Sequence, residues 1–172
     1  TNTSTLPISA LARASRRPEQ FVGVHFFSPV DKMMLVEIIR GEQTGDAAVV
    51  KALDFVRQLR KTPIVVNDAR FFYANRCIIP FINEGVGMLA EGVPAPMVEH
   101  AARQLGMPVG PLQLTDEVSL ELGVRIADAT RADLGEAYEP TAADAILRRM
   151  VQEDRRLGRK SGGGFYDYDE RG

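Results

Sequence analysis

FVGVHFFSPVDKMMLVEIIR, residues 21–40, holds two apolar runs, 21–27 and 33–39, with Ser28-Pro29 between them. Short runs rich in Val, Ile and Phe, separated by a proline turn, predict two strands. Each run carries one ionisable residue among apolar neighbours: His25 between Val24 and Phe26, and Glu37 between Val36 and Ile38. A carboxylate inside such a run is costly to bury without a partner, and the imidazole across the turn is the nearest candidate. Two readings stand at this point. His25 is a core histidine bonded to backbone and Glu37 lies on the solvent side of an edge strand, or the two form a couple. In a couple, the carboxylate fixes the imidazole tautomer and stabilises its protonated form, so that the histidine accepts a proton near neutral pH.

Before this unit, Thr5-Leu6-Pro7 reads as a helix start, and Ile8, Leu11 and Ala12 give a short apolar face that ends at Arg16-Arg17-Pro18. After it, residues 46–59 place Val49, Val50, Leu53, Val56 and Leu59 at helical spacing. Ile64-Val65-Val66 reads as a short buried strand closed by Asn67-Asp68. Strand, helix and strand in alternation predict an α/β unit with parallel pairing. Beyond Asp68 the pattern turns helical. Residues 71–91 carry Ile78, Ile82, Val86 and Leu89 on one stripe, with Pro80 inside as a predicted kink. Further helices are predicted over 97–105, within 112–134 (Val118, Leu122 and Ile126 on one face) and over 142–154. A basic, glycine-rich loop, 158–164, precedes an extended end at Phe165-Tyr166-Asp167-Tyr168. No strand leads into that loop and no helix follows, so it reads as a turn and not as a phosphate cradle. The domain boundary falls after residue 67.

The 172 residues suffice for one sizeable core or two small ones. A net charge of −2 gives no electrostatic case for nucleic acid. The single cysteine, Cys77, allows no intramolecular disulfide and reads as a small core residue. Two distant histidines argue against a metal site. No apolar run reaches membrane-spanning length, so a soluble intracellular protein is expected. The opening Thr1-Asn2-Thr3-Ser4-Thr5 looks like the exit from a strand, as though the chain were a piece of something longer.

Asn2-Thr3-Ser4, HFFSPVDKMMLVEIIRG (25–41), KTPIVVND (61–68), Asn75-Arg76 and GRKSGGGFYDY (158–168) together resemble the L-3-hydroxyacyl-CoA dehydrogenases. Among these, the chain is most like the dehydrogenase part of the multifunctional α subunits of fatty acid β-oxidation, in the bacterial complex and the mitochondrial trifunctional protein. The resemblance implies an α/β region, the C-terminal part of a Rossmann NAD-binding domain over residues 1–67. An all-α helical dehydrogenase C-terminal domain over residues 68–172 follows, and the active site lies in a cleft between the two domains. It implies NAD as cofactor and an acyl-CoA substrate. His25 is then the general base, held by Glu37. Ser4 and Asn75 contact substrate, and Ser4, Ser28 and Lys160 contact the cofactor, Ser28 standing where single-function enzymes have an Asn. It further implies a homodimer through the helical domain, a thiolase subunit as a possible partner, and a location in the bacterial cytoplasm or a mitochondrial or peroxisomal matrix. The glycine-rich dinucleotide loop, which carries the pyrophosphate in the Rossmann scheme, lies outside these residues. One departure stands out: Arg70 and Phe71 replace the usual Pro-Gly pair, and glycine permits a backbone that other residues resist.

Three rival readings remain. The chain is a non-catalytic helical assembly module, or a hydrolase using Ser4, His25 and Glu37 without a nucleophile-elbow motif, or a different dehydrogenase acting on a small hydroxy acid.

Overall fold

Residues 1–169 are described in the computed structural model, and they fall into two compact units, Thr1–Ile78 and a second that starts at Ile79. The expected helical half ran to residue 172, whose last three positions lie outside the described residues.

The first unit contains α1 (Ile8–Ala12), β1 (Gly23–Phe26), β2 (Leu35–Arg40), α2 (Asp46–Gln58) and β3 (Thr62–Asn67), and it takes in the first turn of α3 (Ala74–Ala90). The sheet order is β1-β2-β3. β1 runs antiparallel to β2, and β3 runs parallel to β2 by way of α2. As the middle strand, β2 is buried on both faces, which is why it reads as a continuous apolar run. Alternation sorts its side chains. Val36 and Ile38 pack with Val49, Ala52 and Val56 of α2, joined by Val24 and Phe26 of β1. Ile39 packs on the opposite face with Ile8 and Phe72. Gly23 makes the approach of Ile8 possible, since a Cβ there would lie 2.7 Å from the Ile8 Cδ1 atom.

Several expectations need correction. α1 stops at Ala12, and its N-terminal N–H groups are capped by a distant side chain: Asp68 Oδ1 accepts from Ile8 N at 2.8 Å and Asp68 Oδ2 from Ser9 N at 2.7 Å. Val50 and Leu59 of the expected α2 stripe are 53% and 45% exposed. Val65 of β3, expected to be buried, is 48% exposed, because β3 is an edge of the described sheet. α3 begins at Ala74 and not at 71, because Phe71 and Phe72 have φ of 63° and 52°, outside the helical range. Cys77 is exposed, not a core residue.

The second unit holds the rest of α3, α4 (Ala95–Gln104), α5 (Pro111–Val118), α6 (Leu120–Leu134) and α7 (Ala142–Gln152). The stretch 112–134 is broken into two helices at Ser119. Its φ of 89° stops the helical ladder, and the next N–H, on Leu120, turns to the Leu157 carbonyl at 3.1 Å. The break changes the buried face: Leu120, Val124 and Ala127 are inward, while Val118 and Leu122 are 45% and 44% exposed. Helix starts are tied by side chains. Glu99 Oε1 accepts from Leu112 N and Gln113 N at 2.8 and 3.1 Å, and Thr141 with Asp144 forms a capping box on α7. The C-terminal segment is not an extended end. Phe165 and Tyr166 pack into the helical clusters, and the segment bends around Asp116 of α5. Among the described residues, no helix is long and apolar enough to cross a membrane.

Candidate active site

His25 and Glu37 are cross-strand partners in the β1–β2 register. Their side chains share the face opposite α2, and His25 Nδ1 lies 2.7 Å from Glu37 Oε2. Both are buried, at 6% and 0% exposure. The second oxygen of Glu37 is also engaged: Oε1 accepts from the backbone N–H groups of Tyr73 and Ala74 at 2.9 and 2.8 Å. Burial pushes the Glu37 carboxyl up, but the hydrogen bond from His25, those from Ala74 and Tyr73, and the attraction of His25 together hold it below the usual value. Glu37 is therefore a buried anion with three donors around it. Aromatic rings flank the imidazole, Phe27 with its centroid at 4.5 Å and Phe72 at 6.1 Å.

This geometry determines the tautomer. A carboxylate only accepts, so Nδ1 carries the hydrogen and the neutral imidazole keeps its lone pair on Nε2. The arrangement is a histidine oriented by an anion, with one nitrogen left to exchange a proton.

Ser4 and Asn75 also come together. Asn75, in the first turn of α3, donates from Nδ2 to the Ser4 carbonyl at 3.3 Å. The residues before Ser4 lie along β1: Val24 N donates to Thr1 O at 2.8 Å, and Phe26 N to Asn2 Oδ1 at 2.9 Å. Ser28 is exposed, in the cis Ser28-Pro29 peptide that follows β1. Lys160 belongs to the second unit, where its ammonium lies 3.2 Å from Glu121 Oε2. Four of the six expected site residues, His25, Glu37, Ser4 and Asn75, are thus linked in two hydrogen-bonded pairs.

Sequence reading missed the backbone donors to Glu37, since N–H groups leave no mark in residue type. It also missed Asp68, read as a strand terminator, which caps α1. The apolar run around His25 was the available signal for Phe27, and Phe72 had none.

Residues 1–69 match the family model described as "3-hydroxyacyl-CoA dehydrogenase, NAD binding domain", and residues 72–168 match the one described as its C-terminal domain. Among solved structures, (S)-3-hydroxybutyryl-CoA dehydrogenase from Ralstonia eutropha is 35% identical over 98% of the chain, with a TM-score of 0.88. 3-Hydroxybutyryl-CoA dehydrogenase from Escherichia coli is 32% identical over 97%, with a TM-score of 0.85. The dehydrogenase part of multifunctional enzyme 1 from C. elegans is 25% identical over 99%, with a TM-score of 0.62. The chain spans 59%, 35% and 37% of those three chains, respectively.

Proposed function

Because the chain belongs to the 3-hydroxyacyl-CoA dehydrogenase family, we propose that its protein oxidises an L-3-hydroxyacyl-CoA thioester to the 3-oxoacyl-CoA with NAD, as a step of fatty acid β-oxidation. The observation that carries this reading is the buried 2.7 Å contact between His25 Nδ1 and Glu37 Oε2. His25 Nε2 takes the proton of the 3-hydroxyl as the hydrogen on C3 leaves with its electron pair and the C3–O bond becomes a carbonyl. In the reverse direction Nε2–H returns the proton. Glu37 stabilises the imidazolium that forms and keeps the ring from turning. Asn75 and Ser4 orient the substrate oxygen.

NAD, when bound, accepts the hydride. By the resemblance alone, Ser4 and Ser28 of the first unit and, separately, Lys160 of the second are the side chains that would contact it. They do not supply a pyrophosphate turn. α2, the helix that links the parallel strands, enters on Gly45-Asp46, and its first-turn carboxylate pairs with Arg40 at 2.7 Å; a helix start that receives phosphate is free of such a charge. With no Gly-x-Gly-x-x-Gly among the 172 residues, this polypeptide by itself is expected to be silent toward NAD. Pairing of the helical unit with a second copy follows from the resemblance. A thiolase subunit and a cytoplasmic or organelle-matrix setting follow from the resemblance alone.

The test is NADH appearance with 3-hydroxybutyryl-CoA as substrate, on the full-length protein and its His25→Gln variant. Turnover falling by about a hundred- to ten-thousand-fold supports the assignment. Near-normal turnover returns His25 to the role of a core histidine.

A further inference from the structure

Phe71 and Phe72, with φ of 63° and 52°, occupy the left-handed region that glycine enters freely and a bulky side chain resists. Two such residues in succession persist only where their surroundings over-determine them. On the entry side, Asp68 is pinned by the Ile8 and Ser9 N–H groups and by the Ser9 hydroxyl at 2.6 Å. Within the turn, Phe72 N donates to Ala69 O at 2.8 Å, and the Phe72 ring is buried with Ile8 and Ile39. The Arg70 guanidinium lies over the Phe71 ring, 4.7 Å from its centroid. On the exit side, Tyr73 N and Ala74 N meet Glu37 Oε1.

We propose that the left-handed Phe71-Phe72 turn is a positioning element for the reaction: it aims two backbone N–H groups at one oxygen of Glu37, which commits the other oxygen to His25 Nδ1. A carboxylate can otherwise rotate, and a rotated Glu37 no longer holds the imidazole with Nδ1–H toward it. The turn supplies the stop. The residues that matter are therefore Phe71, through its backbone angle, and Phe72, whose ring both buries the turn and faces the imidazole. This inference deepens the general-base reading and rests on it.

The test compares Phe71→Gly, Phe71→Asn and Phe71→Val in the full-length protein. Gly and Asn accept a positive φ, whereas β-branched Val resists it. One readout needs no turnover: the Nδ1 proton resonance of His25 in imidazole-labelled NMR. The resonance is assigned by its absence from the His25→Gln protein. Gly and Asn are expected to keep the resonance and the wild-type kcat. Val is expected to lose the resonance to water exchange and to drop kcat by about ten- to a hundredfold, with KM nearly unchanged. A folded Phe71→Val protein with the wild-type resonance and kcat overturns the proposal. Should Phe71→Val not fold, Ala74→Pro takes its place, since it deletes one of the two N–H donors to Glu37 at the first position of α3, where proline is tolerated: a broadened resonance with reduced kcat supports the role, and an unchanged pair overturns it. A His25→Gln protein that turns over normally overturns the general-base reading itself, independently of the resonance.

Discussion

Gly164 lies so close to Asp116 that a Cβ at position 164 would overlap the Asp116 carboxylate. That carboxylate, 1% exposed, accepts from Phe165 N at 2.8 Å, Tyr166 N at 3.0 Å and the Tyr168 hydroxyl at 2.8 Å. At the other end of the motif, Gly158 has φ of 114°, and a Cβ there would lie 2.5 Å from the Asp116 carbonyl oxygen. Two of the four glycines of GRKSGGGFYDY, Gly158 and Gly164, serve close approach to one buried aspartate.

Gly164→Ala is therefore expected to destabilise the protein by about 2–4 kcal/mol, since either the methyl displaces the carboxylate or three donors lose their acceptor. Gly162→Ala is the control. Its φ of 79° strains any side chain, but the nearest atom to its Cβ is 3.9 Å away, so the cost is about 1 kcal/mol. Urea denaturation of both variants checks the ordering, and equal losses would mean that packing on Asp116 is not the cause.

Glu37 gives a prediction in pH. An ordinary glutamate titrates near 4.5, and Glu37 is held lower in the folded protein. Below about pH 4.5 the unfolded chain binds a proton that the folded chain refuses, so stability falls with falling pH. The contribution is complete above that value and is lost as pH drops through the folded one. Glu37→Gln removes it. The stability gap between wild type and variant is expected to narrow from about pH 5 downward, as followed by urea titrations at a series of pH values. A constant gap would show that Glu37 is not a charged partner in the fold.

Phe71 yields an inverted substitution rank. Ala normally outranks Gly, because Gly loses more backbone freedom on folding. At a φ of 63° the order reverses, since a Cβ costs about 1–2 kcal/mol in the left-handed region. Phe71→Gly is expected to melt above Phe71→Ala, with a difference of about 1 kcal/mol in thermal unfolding. Both lose the Arg70 contact, so the comparison isolates the backbone.

How far the residues announced this structure depends on what each feature is made of. The two strands and their turn were legible because apolar runs are a property of residue type, whereas the misplaced ionisable residues posed the His25–Glu37 couple only as one of two readings, and the resemblance chose it. The parallel β2–α2–β3 unit was legible from its alternation. Features made by backbone angles were not. The break at Ser119 has no Gly or Pro to mark it, and it split the expected stripe, leaving Val118 of α5 and Leu122 of α6 exposed. The role of Asp116 was hidden because its partners lie 49 to 52 residues downstream. The substitution of Arg70-Phe71 for Pro-Gly was visible, but its meaning, a phenylalanine forced into the conformation that glycine prefers, needed the backbone. Ser28 and Lys160 rest on resemblance, since neither meets His25 or Glu37 in a described contact.

Tyr168 closes the Asp116 site and makes it sensitive to alkali. Burial, the hydrogen bond to Asp116 and repulsion from its charge push the phenol well above the ordinary 10.0, against the opposing pull of Arg159. The unfolded chain therefore sheds this proton above about pH 10 while the folded chain keeps it. By linkage the contribution is fully present below that pH and is lost as pH rises toward the folded value. Tyr168→Phe is expected to lower stability by about 1 kcal/mol at neutral pH, and to flatten the decline between about pH 9.5 and 11 relative to wild type. Phenolate absorbance followed alongside urea denaturation measures both. If the wild-type and variant curves fall in parallel through that range, Tyr168 ionises as an exposed phenol does, and its hydroxyl does not donate to Asp116 in solution.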